Sequence, residues 1–142
     1  MGNLQSVKKI SFEDVQIATK LQNKYLIINV LPLVEQTCLI EGTIHASNEE
    51  DIINTYRQTN KFVNIIVYGK NSSDDNLIKK CKQLNYYGFQ NVFIYPGGLF
   101  EWLLLQEIYG AESFPTTNDE LDIIKYKAPN LFGILFLENG ES

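Results

Sequence analysis

Tyr25-Leu26-Ile27-Ile28-Asn29-Val30 and Val63-Asn64-Ile65-Ile66-Val67-Tyr68 are nearly continuous apolar, β-branched runs. Runs of this length without polar alternation suit strands buried on both faces of a parallel sheet. Asn91-Val92-Phe93-Ile94-Tyr95 predicts a third strand, and Gly42-Thr43-Ile44-His45 a short fourth. Between these runs the apolar positions change to helical spacing over 48–57, 75–87 and 98–109. The last places Phe100, Leu103, Leu104 and Ile108 on one face. Strands alternating with helices predict an α/β domain with a mostly parallel central sheet flanked by helices.

Ser11-Phe12-Glu13-Asp14 puts a hydroxyl before a first-turn acid, with Val15, Ile17, Ala18 and Leu21 behind it, which predicts a short helix ending at a turn near Asn23-Lys24. Past Gly110 the alternation fades. Phe114-Pro115-Thr116-Thr117-Asn118-Asp119-Glu120 is turn-like, and Leu121-Asp122-Ile123-Ile124-Lys125-Tyr126 is suited to packing along the domain. The uncharged apolar stretch 131–137 lies outside the βα pattern and is read either as folded against its own domain or as a docking segment for a partner.

The 142 residues are the size of one ordinary domain. With 12 Lys and Arg against 17 Asp and Glu, the net charge is −5, and no segment gathers the basic stripe that nucleic acid requires. Cys38, Cys81 and the single His45 form neither a disulfide framework nor a zinc ligand set, so no metal or other cofactor is expected and a reducing compartment fits best. The apolar stretches fall short of the roughly 20 residues a bilayer span needs. Abundant Asn, Ile and Lys beside a sole arginine, Arg57, suggest an AT-rich genome.

At the amino terminus Gly2 is followed by Ser6, the N-myristoylation pattern once Met1 is removed. A single acyl chain binds membrane marginally and reversibly, with Lys8 and Lys9 adding attraction to an anionic leaflet. The expected location is cytoplasmic, peripheral on the cytoplasmic face of a membrane.

Gly88-Phe89-Gln90-Asn91-Val92, a strand, then Gly97-Gly98-Leu99-Phe100-Glu101-Trp102 form the most specific motif in the chain. The glycines permit a tight strand-to-helix turn, and Trp102 offers a large area to bury on a sheet. With Ile28-Asn29-Val30-Leu31, Glu35, and Leu39-Ile40-Glu41-Gly42-Thr43-Ile44, in this order and spacing, the chain resembles a single rhodanese-like domain over about residues 10–110. The resemblance implies a three-layer α/β domain. It divides the chain into an acylation segment at 1–9, the domain at 10–110 and a C-terminal extension at 111–142.

Against the family's pattern Asn29 stands for an Asp, Leu31 for an Arg and Leu39 for a His. The resemblance also implies a sulfur-carrying cysteine in the loop after Val63 to Tyr68, held as a thiolate among helix-start amides. That loop reads Gly69-Lys70-Asn71-Ser72-Ser73-Asp74-Asp75, with Gly69 at the cysteine's position and Asp74 at that of an anion-holding Arg. Its net charge of −1 disfavours thiosulfate or phosphate.

Cys81 shares a helix face with Leu77, Ile78 and Leu84 and is expected in the core; Cys38 lies beside Leu39 and Ile40. Ser72 and Ser73 require a base to act as nucleophiles, and His45 is the one histidine. Helix capping by Ser72 or Ser73, with Asp74 and Asp75 in the first turn, is the simpler role. Tyr86, Tyr87 and Tyr109 suit ordinary amphipathic packing or an aromatic surface.

These features favour a catalytically inactive rhodanese-like protein-interaction module, reversibly tethered through Gly2 and engaging a protein partner. The alternatives are a sulfurtransferase or a related phosphatase or arsenate reductase acting through loop 69–75, or a purely structural subunit of a larger assembly.

Overall fold

The computed structural model describes residues 7–133. Its sheet has four parallel strands, β1 (Lys8–Lys9), β2 (Tyr25–Asn29), β3 (Asn64–Tyr68) and β4 (Asn91–Ile94), in the order β1-β4-β3-β2. Tyr25 pairs with Asn64 and Asn29 with Tyr68, while Asn64 pairs with Asn91 and Val67 with Ile94. The strand ends are therefore level, and the segments leaving β2, β3 and β4 emerge together at one end of the sheet.

Side chains of successive strand residues face opposite sides, and the apolar runs fill both. Ile27, Ile66 and Tyr68 face α1 (Phe12–Lys20) and α4 (Gly98–Tyr109), meeting Val15, Ala18, Leu99, Trp102 and Leu103. Leu26, Ile28, Ile65 and Val67 face α2 (Ala46–Thr59) and α3 (Asn76–Tyr86), meeting Ile53, Leu77, Cys81 and Leu84. The result is a three-layer α/β domain. Among the described residues no helix is long and apolar enough to cross a membrane.

Ser11 stands at the N-cap of α1, where its backbone N–H donates to Asp14 Oδ2 at 3.1 Å. Several expectations are revised. Lys8 and Lys9, assigned to the acylation segment, form the edge strand, and the Ile10 N–H continues the ladder to the Ile94 carbonyl at 2.8 Å. The stretch 42–45 makes only an isolated bridge, Thr43 to Ile27, because its last residue leaves the sheet to cap α2.

On α4 the buried stripe is Leu99, Trp102 and Leu103, whereas Leu104 and Ile108 are exposed. A helix apolar on most of its circumference has no single face legible from spacing alone. On α3, Leu77, Cys81 and Leu84 are buried as expected, with Ile78 left outside.

The segment after α4 is built into the domain. The Trp102 indole N–H donates to the Pro115 carbonyl at 3.1 Å, Ile40 bridges Thr116, and Phe114 and Tyr126 are buried. A 3-10 turn at Ile123–Tyr126 carries Tyr126 inward. Of the apolar stretch 131–137, Leu131 and Phe132 are exposed, and 134–137 lie outside the described residues.

Candidate functional site

Tyr68, the last residue of β3, is fully buried; its hydroxyl accepts from the Ile40 N–H at 3.1 Å and lies 2.7 Å from Thr43 Oγ1. Burial in this apolar setting raises its pKa well above the ordinary value. The chain then turns at Gly69 into the loop that leads to α3.

The loop is held from two sides. The first-turn amides of α4 donate to its carbonyls, Leu99 N–H to Gly69 O and Phe100 N–H to Lys70 O, each at 2.9 Å. Gly98 makes that approach possible: its φ is +66°, and a Cβ there would lie 2.7 Å from Gly69 O and 2.9 Å from Asn71 N. From the other side buried Asn71 donates through Nδ2 to the Tyr126 carbonyl at 2.8 Å, while its Oδ1 accepts from the Ser73 N–H at 2.8 Å.

The interior of the loop is occupied by its own acid. Asp74 Oδ2 accepts from the Lys70 N–H at 3.3 Å, and Oδ1 accepts from the Asn76 N–H at 3.0 Å. A Cβ built on Gly69 would stand 2.5 Å from Asp74 Oδ2. A carboxylate on backbone amides at a helix start is favourable electrostatically, and here it uses the space a side chain at 69 would need. The expected capping by Ser72 or Ser73 is not observed: both are exposed, Asp75 stands at the N-cap position, and the Asp74 carboxylate takes the amide.

Lys70 pairs with Glu35 at 2.9 Å, across the mouth from the 3-10 turn Leu33–Glu35. An open cleft of roughly 330 Å³ above the loop is walled by Pro32, Lys70, Asp74, Lys125, Lys127 and Pro129. Lys125 is ion-paired with Glu120. The wall from 120–129 was not expected from sequence; its signal was the inward aromatic Tyr126 at the end of an otherwise polar-interrupted stretch.

The remaining candidates do not join this site. His45 is exposed at the start of α2, with Nδ1 3.0 Å from Ser47 Oγ. It follows the bridge on the far edge of β2, two strand spacings or roughly 10 Å from β3, so no Ser–His pair forms with the loop. Cys38 is buried, its thiol donating to the Asn118 carbonyl at 3.2 Å, and burial raises its pKa. Burial pushes the Cys81 thiol up to about 11. Neither is held as a thiolate. No group of His, Cys, Asp and Glu among the described residues is placed to hold a metal ion. Gly2 lies outside the described residues.

The site thus belongs to a parallel three-layer α/β domain, in which the loop after a central strand turns its amides onto a carboxylate and packs its back on a glycine at a second helix start. The model of the Rhodanese-like domain matches residues 14–105, and the chain belongs to that family; the family relates it to the sulfurtransferases. No curated protein matches the chain.

Solved structures with the same fold include the Alr3790 protein from Anabaena sp. (21% identity, TM-score 0.54, covering 82% of this chain and 97% of that one). A protein from Lactobacillus plantarum aligns at 16% identity with a TM-score of 0.54, over 78% of this chain and 88% of its own. The thiosulfate sulfurtransferase from Pseudomonas aeruginosa aligns at 20% identity with a TM-score of 0.54, over 70% of this chain and 19% of the longer protein.

Proposed function

We propose that this chain is a catalytically inactive rhodanese-like interaction module, tethered reversibly to the cytoplasmic face of a membrane through N-myristoyl Gly2 and engaging a protein partner. The observation that carries the loss of catalysis is the Asp74 carboxylate seated on the Lys70 and Asn76 amides, against a residue 69 that has no side chain. An anion entering the loop would have to displace a tethered carboxylate, whose effective concentration is of millimolar order or above, and then sit beside it at like charge. No nucleophile stands at Gly69, and the two thiols are buried elsewhere.

Titration of the full chain with thiosulfate, phosphate and arsenate, followed at the loop amides by NMR, tests this. No saturable shift in the millimolar range is expected. Saturable binding, or sulfur transfer from thiosulfate to cyanide, overturns it in favour of an enzyme working through the lysine-walled cleft.

The tether is supported by Gly2 and Ser6. Co-expression with an N-myristoyltransferase should add the acyl mass to the wild type and not to Gly2→Ala, and only the acylated protein should float with liposomes. Absence of the mass on the wild type removes the tether and leaves the inactive-loop reading in place.

A further inference from the structure

We propose that the end of the molecule opposite the 69–75 loop is a basic, aromatic-rimmed face that lies against an anionic lipid surface. This rests on the tethered reading above and adds to it an orientation and a second source of attraction.

The three longer strands, β2, β3 and β4, begin at that end. Lys24 directly precedes β2, Phe62 and Val63 precede β3, and Gln90 precedes β4; β1 begins farther up the sheet, its Lys8 level with Phe93, and runs parallel to β4. The helices finish there, with Lys20 in the last turn of α1 and Arg57 in that of α2. Lys20, Lys24, Arg57 and Lys61 are all exposed, and among the described residues none is in an ion pair. Register sets Lys24 beside Val63, since Tyr25 pairs with Asn64.

Lys61 lies over the turn at Gly88, its Nζ 3.1 Å from where a Cβ would stand, and the Arg57 guanidinium stacks 3.9 Å above the Tyr87 ring. Phe62, 70% exposed, and Tyr86, 84% exposed, project from the same rim. Rings beside cations suit the boundary between headgroups and acyl chains.

The opposite end carries the acids at the helix starts, Glu13 and Asp14, Glu49, Asp74 and Asp75, and Glu101, together with Lys70, Lys125 and Lys127 around the cleft. Part of this polarity is the ordinary response to helix dipoles, which explains Lys20 and Arg57. Lys61, over the Gly88 turn that closes α3, is favoured in the same way, whereas Lys24 stands in the turn before β2, beyond the last turn of α1. Glu107 and Glu112, near the end of α4, leave the basic end with a surplus of positive charge.

The net charge of −5 does not decide the field at this face. The 14 residues of α2 span about 21 Å, more than two screening lengths of about 8 Å at physiological salt. Acids at the far end are therefore largely screened from a membrane touching the near end. The orientation turns the 69–75 loop and its cleft away from the bilayer, toward a partner in the aqueous phase.

The test compares acylated wild type, Lys24→Glu/Lys61→Glu and, at the far end, Lys125→Glu/Lys127→Glu on vesicles of phosphatidylcholine alone and with phosphatidylserine. Wild-type partitioning should rise with phosphatidylserine and fall with salt. The first double variant should lose about thirtyfold or more on the anionic vesicles and match wild type on the neutral ones, while the far-end pair has little effect. Equal partitioning of wild type and the first variant on anionic vesicles, or equal losses for both pairs, overturns the proposal. If the wild type takes no acyl chain, the tether fails alone. The same comparison with unacylated proteins at low salt then reads the face: a difference between wild type and Lys24→Glu/Lys61→Glu supports it, and none overturns it.

Discussion

At position 69 the missing side chain and the Asp74 carboxylate are two halves of one arrangement. The carboxylate reaches the Lys70 and Asn76 amides through space that a Cβ at 69 would enter to within 2.5 Å of Oδ2. Charge-assisted hydrogen bonds of this kind contribute about 1.5–3 kcal/mol each, so the loop is stabilised by the acid that closes it. Asp74→Ala should therefore lose some stability and gain millimolar phosphate binding at the loop amides, read as saturable NMR shifts absent from wild type. Failure to gain it would mean that the carboxylate is not what excludes anions.

Cys81 gives a residue-scale test with a definite sign. Its folded pKa, about 11 against an ordinary 9.0, favours the neutral thiol. The stability this contributes is fully present below pH 9 and is lost as pH rises through 11, by at most about 3 kcal/mol. Urea unfolding should show a decline in wild type over that window that is shallower in Cys81→Ala. Buried tyrosines such as Tyr68 and Tyr95, also raised by burial, add a decline common to both proteins.

Among elements, the crossing of the β3 loop and α4 carries the tightest constraint. Gly98 combines a φ of +66° with a backbone neighbour, Gly69 O, at 2.7 Å from any added Cβ. Gly69 O and the next neighbour, Asn71 N at 2.9 Å, are both backbone atoms, so relief requires moving the loop or the helix. Gly98→Ala should cost more than about 2 kcal/mol, measured as a lower urea midpoint, and should shift the Asn71 and Phe100 amides together.

The same crossing shows what sequence makes legible. The Gly97-Gly98 pair between a β-branched run and Trp102 announces a strand-to-helix turn, and the runs at β2, β3 and β4 announce buried parallel strands, because burial on both faces requires unbroken apolarity. β1 has no such mark: two exposed lysines form a ladder through backbone groups alone. The occupant of the loop was equally hidden. Asp74 at a helix start is common chemistry, and its inward turn depends on Gly69, whose carbonyl is held by an α4 amide thirty residues farther along the chain, at Leu99.

At the scale of the whole molecule, the family match ends at residue 105 while the fold does not. Phe114 packs edge-on to Trp102 with ring centroids 5.0 Å apart, Pro115 accepts the indole N–H, and Thr117 N–H donates to Leu39 O at 2.8 Å. Farther on, Tyr126 enters the same core and its carbonyl holds Asn71. A chain cut after Gly110 would thus leave an unpaired indole N–H, bare aromatic surface on α4 and a loop without its latch. Losing two buried aromatics alone costs about 3–5 kcal/mol for each, comparable to the whole stability of a domain of this size. The 1–110 fragment should therefore lack a cooperative unfolding transition. Trp102, the one tryptophan, reports it directly: buried emission in the full chain and red-shifted emission in the fragment. A fragment with blue emission and a sharp urea transition would show instead that 111–133 is a dispensable cover.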